Sequence, residues 1–163
     1  MSVAIVMGSD SDEAIMTPAA EALSEFAIQW EMHVLSAHRS PEATIAYARS
    51  AAERGIGVII AGAGGAAHLP GVIAATTPLP VIGVPIALKA LDGLDSLLSI
   101  VQMPRGIPVA TVGVDNSRNA GLLAVRILGS SDPQLRARIE AFQSDLADEV
   151  LRRDAALQER LGR

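Results

Sequence analysis

The sequence has no cysteine, a single lysine (Lys89), and only four aromatic side chains outside histidine: Phe26, Trp30, Tyr47 and Phe142. Each shortage removes a class of function. Without cysteine there is no disulfide framework, thiol nucleophile or thiolate metal site. With Lys89 as the one lysine and no glycine loop ahead of it, phosphate-loop NTPase and lysine Schiff-base chemistry are poor fits. The scarcity of aromatics leaves nothing on which nucleic-acid bases could stack. The formal charge of -5 also argues against a nucleic-acid or anionic-membrane surface. No apolar run reaches membrane-spanning length. The first residues carry no basic segment, and Asp10 and Asp12 interrupt their apolar start, so no secretory signal is expected. The expectation is a soluble, cytoplasmic protein.

What is abundant is aliphatic: half of the 163 residues are apolar. This length suits one domain, 1–163, with a core built from Val, Ile, Leu and Ala. The chain is organised around Val58-Ile59-Ile60-Ala61-Gly62-Ala63-Gly64-Gly65-Ala66-Ala67-His68-Leu69-Pro70-Gly71. Its apolar run is short and unalternating, as in a strand covered on both faces. The glycines then expose backbone N–H groups to a ligand, and a helix beginning near Ala67 would add its partial positive charge.

Further strands are expected over Ser2–Met7, Gln29–Leu35, Val81–Val84 and Val109–Val114. Helices are expected after Asp12 through Phe26, from Pro41 behind an N-cap Ser40 to Ala52, and over Val72–Thr76, Leu94–Val101, Ala120–Leu128 and Pro133–Leu161. Pro18 must lie in a first turn or kink its helix. In the last helix Leu135, Ile139, Phe142, Leu146 and Val150 recur at steps of three or four; its charged far end reads as a contact with another subunit or as a frayed end, and the plainer alternative is a helix that caps its own sheet.

Strands alternating with helices predict an α/β fold: a doubly wound five-stranded parallel sheet, order 2-1-3-4-5, in three α/β/α layers with an extended C-terminal helix. Ligands bind such sheets outside the carboxyl ends of the strands, at the switch point between strands one and three. Three post-strand turns would meet there: Gly8-Ser9-Asp10-Ser11-Asp12, Ser36-Ala37-His38-Arg39-Ser40-Pro41, and the glycine loop.

Gly62 to Ala67 fits a loose dinucleotide pattern, but it follows the third strand, and no ribose-binding acid stands at the end of the fourth. Of the three histidines, His33 lies inside a strand and reads as structural. His38 stands on the expected ligand rim, where an imidazole can exchange a proton near neutral pH. His68 either orients a substrate or only caps its helix and hydrogen-bonds a neighbouring loop. Ser9, Ser11 and Asp12 serve as caps, as phosphate and ribose ligands, or as both. No metal triad is apparent.

Taken together and in order, the Met7–Asp12, Ser36–Pro41 and Gly62–Gly71 blocks and Gln102-Met103-Pro104-Arg105-Gly106-Ile107-Pro108 resemble the class I N5-carboxyaminoimidazole ribonucleotide mutases of purine biosynthesis. The likeness spans about Val3 to Leu128. It implies an isomerase without metal or organic cofactor that moves a carboxylate from an exocyclic nitrogen to C4 of an aminoimidazole ribonucleotide. The carbamate would release carbon dioxide in a closed pocket and the enamine carbon would recapture it, with His38 shuttling the proton. By the same resemblance Ser9, Ser11, Asp12, Ser36 and Arg39 hold phosphate and ribose, and Ala37 is a further substrate-binding residue. Ala63, Gly64, Ala66 and His68 line the carboxylate end, with Leu69 nearby. The resemblance further implies a homo-oligomer, an octamer, with Met103 to Pro108 and the last helix as contact elements. The rivals are a class II carboxylase using free carbon dioxide, a non-catalytic nucleotide-binding module, and a flavodoxin-type electron carrier, for which Trp30 and Tyr47 are poorly placed.

Overall fold

The computed structural model describes residues 1–162; the last residue of the expected 1–163 unit lies outside the described residues. Five parallel strands form one sheet in the order β2-β1-β3-β4-β5. They are β1 (Ser2–Met7), β2 (Trp30–Val34), β3 (Ile56–Gly64), β4 (Val81–Ile86) and β5 (Ala110–Thr111). The expected order is the observed one.

The reason for this order is visible in burial. β3 is the central strand, with β1 on one side (Val3↔Val58, Met7↔Gly62) and β4 on the other (Ile60↔Ile82, Gly64↔Ile86). It is buried almost throughout, so both its faces need apolar residues, which is why its sequence does not alternate. Val3, Ile5, Met7, Val58, Ile60, Ile82, Val84 and Ile86 face one layer. Ala4, Val6, Ile59, Ala61, Ala63 and Val81 face the other.

The first layer holds α1 (Glu13–Glu25), α5 (Ser117–Gly129) and the start of α6 (Pro133–Arg160). The second holds α2 (Pro41–Ser50), α3 (Leu69–Ala74) and α4 (Leu94–Val101). No helix among the described residues is long and apolar enough to cross a membrane.

Several boundaries differ from expectation for local reasons. β5 shrinks to two residues because only Ala110 and Thr111 keep register with β4; beyond them the backbone pairs irregularly, Val112 N–H donating to the Gly83 carbonyl and Asp115 N–H to that of Pro85. Pro18 lies past the first turn of α1, and the helix runs on to Glu25. The carbonyl that its missing N–H would have served belongs to exposed Ala14, where water can replace it. α3 opens at Leu69, with Pro70 in its first turn, between the two starts expected for it. α5 begins at Ser117 because the Asn116 side chain caps it, accepting from Asn119 N–H at 3.2 Å.

α6 does not fray within the described residues. Its first half is pinned: Phe142 meets Phe26 edge-on at 5.6 Å, and Arg138 donates to the Phe26 and Glu25 carbonyls at the end of α1. Its second half carries Leu146 and Val150 more than half exposed.

Candidate active site

The carboxyl ends of β1, β2, β3 and β4 open onto one rim, and there the loops enclose a cleft of about 260 Å³. Every residue expected at the site lines it: Ser9, Ser11, Asp12, Ser36, Ala37, His38, Arg39, Ala63, Gly64, Ala66, His68 and Leu69. Gly8 and Leu88, which sequence reasoning missed, complete the lining. The segment Gln102 to Pro108 contributes no lining residue in the single chain. In the single chain the cleft is open, with His38, Ala66 and His68 exposed, whereas the sequence reading expected a closed pocket.

The β1 turn is a short 3₁₀ helix over Asp10–Asp12 capped by Ser9, whose hydroxyl accepts from Ser11 N–H at 3.3 Å. The Ser11 hydroxyl lies 2.9 Å from that of Ser9 and 3.3 Å from the Asp12 carboxylate. Asp12 occupies the N-cap position of α1, yet its side chain makes no capping bond. Partial burial pushes its carboxyl above the usual aspartate range, against the downward pull of the Ser11 and Ser9 hydrogen bonds and the Arg39 charge. A carboxylate that is part-desolvated and free of capping duty is available to accept from ligand hydroxyls.

In the β2 turn, the Ser36 hydroxyl accepts from Arg39 twice, from the backbone N–H at 3.2 Å and from Nε at 3.3 Å. The Arg39 guanidinium also donates to the Gly8 carbonyl at 2.6 Å, tying the β1 and β2 turns together. Among the described residues it is the only fixed cation lining the cleft, so an anionic ligand group is drawn towards it. Ser40 stands where an N-cap was expected, but its hydroxyl turns back to the Ser36 backbone.

The glycine loop leaves β3 with Gly65 in a left-handed conformation, φ +63°. His68 takes the N-cap position of α3, but its side chain makes no cap bond. Its Nδ1 instead lies 2.7 Å from Nε2 of His38, with the ring planes 87° apart. Facing nitrogens at that distance need one N–H and one lone pair, so each ring fixes the other's tautomer. The arrangement can give one proton to a ligand and take one back.

Among proteins of known function, the AIR carboxylase family matches residues 2–149. The chain is 66% identical over 161 residues to the N5-carboxyaminoimidazole ribonucleotide mutase of Mycobacterium tuberculosis, covering 99% of this chain and 92% of that one. It is 59% identical over 149 residues to the phosphoribosylaminoimidazole carboxylase of Schizosaccharomyces pombe, 91% of this chain but 27% of that longer protein. The crystal structure of Treponema denticola PurE superposes with a TM-score of 0.86 at 26% identity, covering 96% of this chain and 98% of that one. A match that runs through the β1, β2 and β3 turns of the cleft leaves one assignment: this chain belongs to the AIR carboxylase family.

Proposed function

We propose that the chain is an N5-carboxyaminoimidazole ribonucleotide mutase, converting that carbamate to the 4-carboxy-5-aminoimidazole ribonucleotide in purine biosynthesis. The observation that carries this reading is the His38–His68 pair, which lines one cleft together with Arg39 and the turn after β3. Anion-holding groups and a proton-exchanging group thus share one opening.

The reaction needs one proton moved within the site. When the N–C bond of the carbamate breaks, the electron pair stays on nitrogen, and His38 supplies the proton that neutralises it. The enamine pair at C4 then attacks carbon dioxide, and the proton lost from C4 returns to His38. A single imidazole therefore ends each turnover as it began, which a fixed charge could not do. Ser9, Ser11, Asp12, Ser36 and Arg39 hold the phosphate and ribose, with Ala37 lining the same opening, and their binding energy fixes the ring against the imidazole. Ala63, Gly64, Ala66 and His68, with Leu69 nearby, form the carboxylate end, where small side chains suit a nonpolar intermediate.

The active form is a homo-oligomer, an octamer. Support comes from apolar side chains left uncovered on one chain, Leu94, Leu98 and Val101 on α4 and Leu146 and Val150 on α6. A cytoplasmic location fits a charged ribonucleotide substrate that does not cross a lipid bilayer unaided.

The test compares two conversions by the purified protein: isomerisation of the N5-carboxylated ribonucleotide and carboxylation of the unmodified amine with bicarbonate. Faster isomerisation is expected. Faster carboxylation would assign the chain to the class II reaction instead, and neither would leave the nucleotide-binding module.

A further inference from the structure

Leu88 follows the end of β4 and has no role in the reading of the site so far. Among the described residues it is the one large aliphatic side chain in the cleft lining that is substantially exposed, at 49%, whereas the other leucine there, Leu69, is buried. Its side chain lies directly on the glycine turn. A Cβ added at Gly64 would stand 2.9 Å from Leu88 Cγ and 3.1 and 3.2 Å from its two methyls; one added at Gly65 would stand 3.3 Å from a methyl. The bare backbone at the end of β3 is therefore occupied by Leu88, and the glycines are what let it settle there.

The segment that carries Leu88 is held at both ends. Ala87 N–H donates to the Asp115 carboxylate at 2.8 Å. After it, Leu91, Asp92 and Gly93 are successively left-handed, at φ +58°, +48° and +86°. Two non-glycine residues in that region are strained, and such strain persists only where surrounding contacts impose it. Here Gly93 is pressed against Ala87 and Val114, with no room for a side chain. The buried Ser96 hydroxyl then donates to the Ile86 carbonyl at 2.7 Å and accepts from Gly65 N–H at 2.9 Å. One hydroxyl thus locks the end of β4, just before Leu88, to the turn that Leu88 covers.

We propose that Leu88 is a positioning residue for carbon dioxide: its side chain walls the glycine end of the cleft, keeping water out and the freed gas beside C4. The inference rests on the mutase reading. Carbon dioxide carries no charge and offers no hydrogen to donate, so an aliphatic wall restrains it by excluded volume and by denying water a place, where a polar wall would hold water in its path. If the gas escapes, the products are the decarboxylated amine and carbon dioxide, with His38 reprotonated from solvent, so atoms and charge still balance. Escape competes with recapture, and the ratio of the two reports the wall.

The experiment follows unlabelled N5-carboxylated ribonucleotide in a pool of ¹³C-bicarbonate, with the enzyme-free decay subtracted. It measures the ¹³C content of the C4-carboxylated product and the amine released. Wild type is expected to give mostly unlabelled product with little amine. Leu88→Ala is expected to raise both label and amine several-fold with KM little changed, and Leu88→Met, which restores aliphatic bulk, is expected to return both towards wild type. A Leu88→Ala enzyme with wild-type label and amine overturns the inference, even if its rate or its mass by light scattering has changed. So does a Leu88→Met enzyme that leaks as much as Leu88→Ala. Failure of the wild type to isomerise the substrate at all would instead overturn the mutase reading.

Discussion

His38 Nε2 and His68 Nδ1 stand 2.7 Å apart although thirty residues separate them in sequence. The contact exists because β2 and β3 flank β1 in the sheet, so the turns after them reach over the same strand end. Removing the His38 imidazole takes away the proposed proton carrier but none of the groups proposed to hold phosphate and ribose. His38→Asn should lower kcat by about 10² to 10⁴-fold, the usual worth of a positioned acid–base group. Ribonucleotide binding, measured by calorimetry, should stay close to wild type. Turnover unchanged by this substitution would remove His38 from the reaction.

The arrangement of turns was legible because each lies immediately behind an apolar run, and parallel strands bring such turns to one rim whatever the details of their pairing. Leu88 was not legible. It sits among Ala87, Lys89 and Ala90 with no motif around it, and only the return of β4 beside β3 sets it on Gly64 and Gly65. Ser96 was hidden in the same way, since a serine in an amphipathic helix reads as a surface residue until its two backbone partners are seen. Arg39 was found as a ligand candidate, but its bond to the Gly8 carbonyl depends on β1 and β2 being neighbours. Boundaries shifted where capping or sheet register decided them, as at Ser117 and Thr111.

At Gly121, α5 packs tightly against α1. A Cβ there would stand 2.6 Å from the Ala19 carbonyl oxygen and 2.9 Å from Ala22 Cβ. Alanine gains about 1 kcal/mol of helix propensity over glycine. The clash is with backbone, however, and separating the two helices would disturb the whole layer, at a cost of about 1–3 kcal/mol or more. Gly121→Ala should therefore destabilise the chain in urea unfolding. Gly62→Ala meets mainly the Met16 thioether, which can swing aside, and should cost less. The reverse ranking would contradict the close packing of α1 on α5.

Glu31 on β2 accepts from Tyr47 and Arg54, with His33 3.6 Å away. These partners, the Tyr47 hydrogen bond first and then Arg54, hold its carboxyl below the usual glutamate range. Burial, with the Glu31 carboxylate second, pushes the Tyr47 phenol well above its ordinary value, so Tyr47 remains a donor at neutral pH. A depressed folded value means stability that is fully present above the ordinary glutamate value, around 4, and lost as pH falls through the lower folded one. Glu31→Gln should thus lower stability at pH 7, by less than about 1 kcal/mol because the pair is over a third exposed, and the difference should vanish in strong acid. Tyr47→Phe should move the Glu31 titration upward when followed by carboxyl-carbon NMR. No upward movement would mean that Tyr47 is not what holds it down.

Leu94, Leu98 and Val101 recur at steps of four and three along α4, each about half exposed, while Ser96 and Ile100 on the other side of the helix are fully buried. An isolated chain gains nothing from three aliphatic side chains in water on one stripe, whereas a neighbouring copy could bury them at roughly 25 cal/mol per Å² of apolar surface. A charge placed in the middle of that stripe would have to be desolvated for a copy to dock there. Leu98→Glu should therefore shift the protein to a smaller species, read as a fall in mass by light scattering, with far-UV circular dichroism unchanged because the substituted side chain points away from the core. If the wild-type mass is that of an octamer and Leu98→Glu leaves it intact, the contact lies elsewhere, and the exposed stripe of Leu146 and Val150 on α6 becomes the surface to substitute next.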